Sequence, residues 1–174
     1  MGEAETCEII GGRTEIKDVD SFLSRLKSIA RRYNVAIQVF DASKVAGAEH
    51  LRVAVEKALR ARRRGKCIAK DFSVEILLYA AGRRHVSKAL EMGVSENTKE
   101  VAVTLVGDSK NIELARDEIL EILERDDDVL ELSKRKKESL MKFFGITDAE
   151  LEAVGEEKLG LLVLERVAML DVQK

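Results

Sequence analysis

Two short apolar runs, Val35–Phe40 (VAIQVF) and Glu100–Val106 (EVAVTLV), constrain this chain more than any other feature. Rich in β-branched residues and nearly uninterrupted by polar ones, both read as buried strands. A further short strand, bent at Gly11 and Gly12, is expected within Thr6–Ile16. Everything between and after these runs has helical character. Phe22, Leu23, Leu26, Ile29 and Ala30 recur at helical spacing behind a cap at Asp18 or Asp20. After Gly47, Leu51, Ala54, Val55, Ala58 and Leu59 form a one-sided stripe that ends in the basic run ARRRGK, with Gly65 as its stop.

The third apolar segment, Val74–Ala81, opens behind Asp71 or Ser73 and is interrupted at Gly82. It is short enough that periodicity leaves helix and strand both open. A helix carrying Val86, Ala89, Leu90 and Met92 then runs to Gly93. Ser109 is the expected cap of a helix with Ile112, Ala115, Ile119, Leu120 and Leu123. Leu132–Phe144 predicts another, stopped by Gly145. Thr147 with Glu150 has the spacing of a capping box, and a last helix is expected from about Glu156 to Leu170. This order is not a regular βαβ alternation. The expected fold is therefore α+β: a small, mostly antiparallel sheet of three or four strands packed with about seven helices. One domain over 1–174 is expected, helical from about residue 108 onward.

Composition narrows the class. The apolar share of 45% beside a charged share of 36% predicts a folded, soluble protein rather than a disordered one. No apolar run approaches the ~18 residues of a membrane span. The N-terminus MGEAETCEIIGG is acidic and lacks the apolar core of a signal peptide. Gly2 and Thr6 fit the spacing of a myristoylation site, unsupported by any second anchoring signal. The expected location is cytoplasmic, with no membrane partner. Cys7 and Cys67 are read as two buried thiols, with a disulfide as the lesser alternative and no zinc site.

Net charge is −2, but the average hides a division. From Arg60 to Lys88 there are nine Lys/Arg against two Asp/Glu, whereas from Glu96 to Glu157 there are nine against eighteen. A local basic region of this kind is a candidate polyanion site. Arg60–Arg64 alone also reads as a solvated helix end whose cations suit the C-terminal dipole. Arg83, Arg84, His85 and Lys88, just after Gly82, strengthen the binding reading, because a helix start beside basic side chains can receive a phosphate.

Catalytic chemistry finds no support. There is no P-loop, dinucleotide fingerprint or nucleophile elbow, and no catalytic, metal or cofactor residues are assigned. His50 reads as structural. Glu75, inside an apolar stretch, is expected to bond Arg84 or backbone N–H groups. Asp126–Asp128 reads as a solvated loop ahead of a cation site. A ligand pocket near Glu75 and Arg84, in a small-molecule-binding regulatory domain, is the alternative reading.

The stretch IAKDFSVEILLYAAGRRHVSKAL, Ile68–Leu90, resembles the small kinase-binding subunit of the KEOPS complex, the PRPK-binding proteins. Ala69, Glu75, Leu77, Tyr79, Gly82, Arg84 and Ala89 match that family's pattern. Ala81 stands for its usual Ser, and His85 and Val86 for its usual Gln-Ile. DASKVAGAEHL and the closing run LVLERVAMLDV match more weakly. The resemblance implies a non-catalytic subunit that takes part in forming threonylcarbamoyl-adenosine in tRNA. Its implied partners are a kinase-like ATPase subunit, the tRNA 3′ CCA end and, indirectly, the threonylcarbamoyl transferase subunit. The candidate tRNA contacts are Lys70, Gly82, Arg83, Arg84, His85 and Lys88, helped by Arg62, Arg63 and Arg64. The last helix has an apolar arc wider than one core-facing stripe requires. With the resemblance, Leu161, Leu164, Ala168 and Val172 become the candidate kinase-docking residues.

Overall fold

A computed structural model describes residues 5–173. Gly2 of the myristoylation spacing lies outside them. The strands are β1 (Thr6–Arg13), β2 (Ala36–Asp41), β3 (Glu100–Gly107) and β4 (Glu124–Arg125). They form one antiparallel sheet in the order β2-β3-β1-β4. The helices are α1 (Val19–Tyr33), α2 (Ala48–Arg63), α3 (Phe72–Ala81), α4 (Val86–Ala89), α5 (Ser109–Ile119), α6 (Lys137–Phe144), α7 (Asp148–Val154) and α8 (Leu159–Gln173). The α+β expectation holds.

Side chains alternate across β3, so the strand feeds two cores. Val101, Val103 and Leu105 pack with Leu26, Ile29, Ile112 and Ile119 of α1 and α5. Ala102 and Val106 face α2 and α3 on the other side. A third apolar cluster joins α6, α7 and α8 through Leu140, Phe144, Leu151 and Val163.

The ambiguous Val74–Ala81 segment is a helix, buried on every side from Glu75 to Ala81. The Asp71 carboxylate caps it by accepting from Ser73 N–H, and Gly82 ends it at φ 62°. With no exposed face, α3 shows no amphipathic stripe, and the pattern left it unresolved for that reason. Gly65 closes α2 in the left-handed conformation, as expected.

Several expectations need correction. Asp108, not Ser109, caps α5, accepting from Lys110 N–H and Asn111 N–H. That helix ends at Ile119, before Leu120 and Leu123. α6 starts at Lys137 rather than Leu132, because the Lys136 ammonium turns inward to donate to the carbonyls of Val45 (3.0 Å) and Val129 (2.6 Å). Burial lowers its pKa to about 8. Cys7 and Cys67 are exposed and not bridged, rather than buried thiols. β4 was not expected: Asp126 N–H donates to the Gly11 carbonyl and Gly11 N–H to Asp127 Oδ1. The Asp126 carboxylate bonds Arg13, while that of Asp127 bonds Arg125; Asp127 and Asp128 are exposed, as a solvated turn requires, and the first two acids also fasten the sheet edge.

Candidate functional site

The site is organised by the end of α3. The Gly82 N–H returns to the carbonyls of Leu78 and Tyr79, and the Arg83 N–H to Leu78. Two constraints demand glycine here. The left-handed φ disfavours a side chain, and an added Cβ would lie 2.7 Å from the Arg166 carbonyl of α8. α8 thus crosses directly over the turn. Above Gly82 the Tyr79 hydroxyl donates to Asp171 Oδ1 at 2.6 Å, while Lys57 of α2 pairs with Asp171 Oδ2 at 2.9 Å. Burial and this bond hold the Tyr79 hydroxyl above its ordinary pKa. Together these contacts pin the C-terminal part of α8 to α2 and α3.

An open cleft of about 810 Å³ results, walled by the Gly82 turn, the end of α6 and one side of α8. Gly82, Arg83, Arg84, His85 and Lys88 all line it. They are not equally available. Arg83 donates to the Phe143 carbonyl at 2.6 Å and lies 5.4 Å over the Phe143 ring. Arg84 is exposed and donates to the Gln173 carbonyl at 3.3 Å. The side chains of His85 and Lys88 are exposed and make no hydrogen bond or ion pair among the described residues. α4 has only four residues and His85 caps it without a side-chain bond, so any attraction for an anion rests on side chains rather than on a helix dipole.

Sequence reasoning missed Arg166. It bonds the carbonyls of Phe144 and Gly145, each at 3.2 Å, and Glu150 at 2.7 Å. It thereby satisfies the end of α6 and adds a cation to the cleft. Its hint in the sequence is a Glu165-Arg166 pair set inside a mostly apolar run. Four fixed cations therefore line the cleft against one carboxylate, Glu165.

The other candidate cations are elsewhere. Arg62, Arg63, Arg64 and Lys70 cluster at the opposite end of α3 and line no part of this cleft. Ten helical residues separate the two ends, about 15 Å. Arg62 stacks 4.1 Å over Phe72 and pairs with Glu5. Glu75 is fully buried and accepts from Ile68 N–H (2.9 Å) and Ala69 N–H (2.8 Å). It holds the loop into α3, so the expected backbone bonds are present. It does not line the cleft that Arg84 lines, which removes the basis for a shared Glu75–Arg84 pocket. His50 is structural: Nδ1 accepts from Ala46 N–H, so Nε2 carries the proton donated to the Ala80 carbonyl at 2.8 Å. Burial lowers its pKa to about 4.

The wide arc of α8 resolves into two faces. Leu162, Val163, Val167 and Leu170 are buried. Leu161, Ala168 and Val172 point outward, with Leu161 61% and Val172 76% exposed, and Leu164 lies half-buried at their margin. Met169 and Gln173 turn toward the cleft.

A family model described as kinase binding protein CGI-121 matches residues 14–171. The chain belongs to the CGI-121 family of kinase-binding proteins. The match reaches every element except β1, and covers all of the cleft's lining but Gln173. No curated protein matches this CGI-121 family member. Among the described residues no helix is long and apolar enough to cross a membrane.

Proposed function

We propose that this CGI-121 family member is a non-catalytic subunit of a KEOPS-type complex acting in threonylcarbamoyl-adenosine formation on tRNA. In this reading the outward row of α8 docks on the kinase-like ATPase subunit, and the Gly82 cleft receives the tRNA 3′ CCA end. The observation that carries it is the convergence of Gly82, Arg83, Arg84, His85 and Lys88 in one concave, cationic cleft on the flank of the exposed α8 row. The family is described as kinase-binding. The tRNA assignment draws on the resemblance around Gly82 and on the charge of the cleft.

Phosphates near Arg84 and Lys88 would release counterions, so binding should weaken as salt rises. The α8 row offers apolar side chains with no cover, as a partner helix or lobe requires. The deciding experiment uses the purified chain, the kinase-like partner and tRNA with or without its CCA end. CCA-dependent binding that persists when Leu161→Glu abolishes kinase co-purification supports both surfaces. Equal affinity for tRNA lacking CCA removes the tRNA half. A kinase complex that survives Leu161→Glu and Leu164→Glu places docking elsewhere.

A further inference from the structure

The sheet ends at β2, and its register identifies which backbone groups lie on that edge. Gly11 of β1 exchanges hydrogen bonds with Asp126 and Asp127, so odd-numbered residues of β1 face β4. Even-numbered ones bond β3, with Ile10 opposite Val103. Antiparallel bonding alternates between the two sides of a strand. Ala102, Thr104 and Val106 therefore bond β2, opposite Phe40, Gln38 and Ala36. The Thr104 hydroxyl reaching the Gln38 carbonyl at 3.5 Å agrees with this. Ile37 and Val39 must then turn their N–H and C=O groups outward. Gln38 Nε2 covers the Val39 carbonyl at 3.2 Å. The Ile37 N–H, Ile37 C=O and Val39 N–H meet no partner beyond the sheet among the described residues.

Open edges are usually blunted by charge, a bulge or proline. The chain contains no proline. The one charged residue of β2, Asp41, spends its carboxylate on Ser43 N–H and Oγ. Val39 is buried and Ile37 half-buried, so this edge can pair only with a strand that enters the groove beside it.

It lies in a groove of about 440 Å³ between α1 and α3. The two walls differ. On the α1 side stand Lys27 and Arg31, exposed and without an ion pair among the described residues. The other side presents Val74, Leu77 and Leu90, the last 59% exposed. The acid on that side, Asp71, accepts from Ser73 N–H (2.9 Å) and Oγ (2.7 Å) and keeps its charge, so the lining carries two cations against one carboxylate.

The geometry points to an extended acidic peptide segment of a partner protein, added to β2 as a fifth strand. Successive side chains of a strand point to opposite faces. Acidic side chains would face Lys27 and Arg31, and the alternate apolar ones would face Val74 and Leu90. Main-chain bonds to Ile37 and Val39 supply affinity, and the unlike walls supply sequence preference. Charge argues against a second copy of this chain. Pairing two β2 edges would bring four cations together with only the two Asp71 carboxylates to offset them. The groove shares no residue with the Gly82 cleft, so its occupant and the cleft's are compatible.

The test uses the full chain and three synthetic octapeptides: alternating valine and glutamate, alternating valine and lysine, and the first composition in blocks. The proposal expects the valine–glutamate peptide to protect the Ile37 and Val39 amides from hydrogen exchange. It also expects that peptide to bind about tenfold or more tighter than the other two. Lys27→Glu with Arg31→Glu should reverse the preference toward the lysine peptide. Ile37→Pro, which removes an outward N–H without breaking the ladder, should abolish binding of all three. Should that variant unfold, the charge reversal decides alone. No protection of Ile37 and Val39 overturns the proposal, as does equal binding of the three peptides. Protection that rises with protein concentration in the absence of peptide overturns it in favour of a second copy.

Discussion

The two ends of α3 carry similar charge but differ in shape. Arg62, Arg63, Arg64 and Lys70 surround its start, and Arg83, Arg84, His85 and Lys88 surround its finish. At the start the cations stand exposed, with Arg62 stacked on Phe72. At the finish α8 crosses within van der Waals distance of Gly82 and the end of α6 closes in, so the cations line a concavity. A walled cleft focuses potential more than cations that stand out into solvent, as Arg63, Arg64 and Lys70 do. Basic residues therefore make a candidate site only where the backbone brings a wall opposite them.

The two ends should respond unequally when the glycine at each is substituted. Gly82→Ala meets both a left-handed φ and a backbone carbonyl at 2.7 Å. A loss of about 3 kcal/mol is expected by urea denaturation. Gly65→Ala has a similar φ of 66° but nothing within 4 Å, so only the strain remains. About 1 kcal/mol is expected there. Equal losses would mean that α8 does not press on the Gly82 turn.

Acid should loosen the cleft end, where His50 donates to the Ala80 carbonyl two residues before Gly82. The sign follows from proton uptake. The unfolded histidine, near pKa 6.5, binds a proton before the buried one, held at about 4. His50 therefore contributes stability fully above pH 6.5 and loses it as pH falls toward 4, by roughly 3 kcal/mol. His50→Gln should flatten that part of the stability–pH curve.

Arg84→Ala should lower tRNA affinity about tenfold at moderate salt while kinase co-purification is unchanged. Unchanged affinity sinks the role assigned to Arg84. Arg63→Ala, exposed at the end of α2 beside the start of α3, should change affinity by about twofold or less. A larger effect from Arg63 than from Arg84 would invert the comparison and move the tRNA to the start of α3.

Local chemistry made much of the fold legible. Asp18 caps α1 through Ser21 N–H, Gly145 ends α6 at φ 64°, and Thr147 with Glu150 forms both halves of the capping box. Each depends on residues three or four apart. The misreadings depend on distant ones. β4 exists because Asp126 and Asp127 meet Gly11, more than a hundred positions earlier. α6 starts late because Lys136 finds the Val45 carbonyl. Arg166 joins the cleft because the ends of α6 and α3 converge on it.

By itself the sequence determined that β-branched runs would form a sheet, where most helices would start and stop, and that Gly82 and Arg84 belong to a recognisable pattern. Periodicity and capping are short-range, and neighbouring residues specify them without the rest of the chain. Only the tertiary structure decided that the basic region divides, that Glu75 and Arg84 serve opposite ends of one helix, and that the arc of α8 is half covered and half bare. Concavity and exposure belong to pairs of elements, and the backbone sets their distance only once every element is packed.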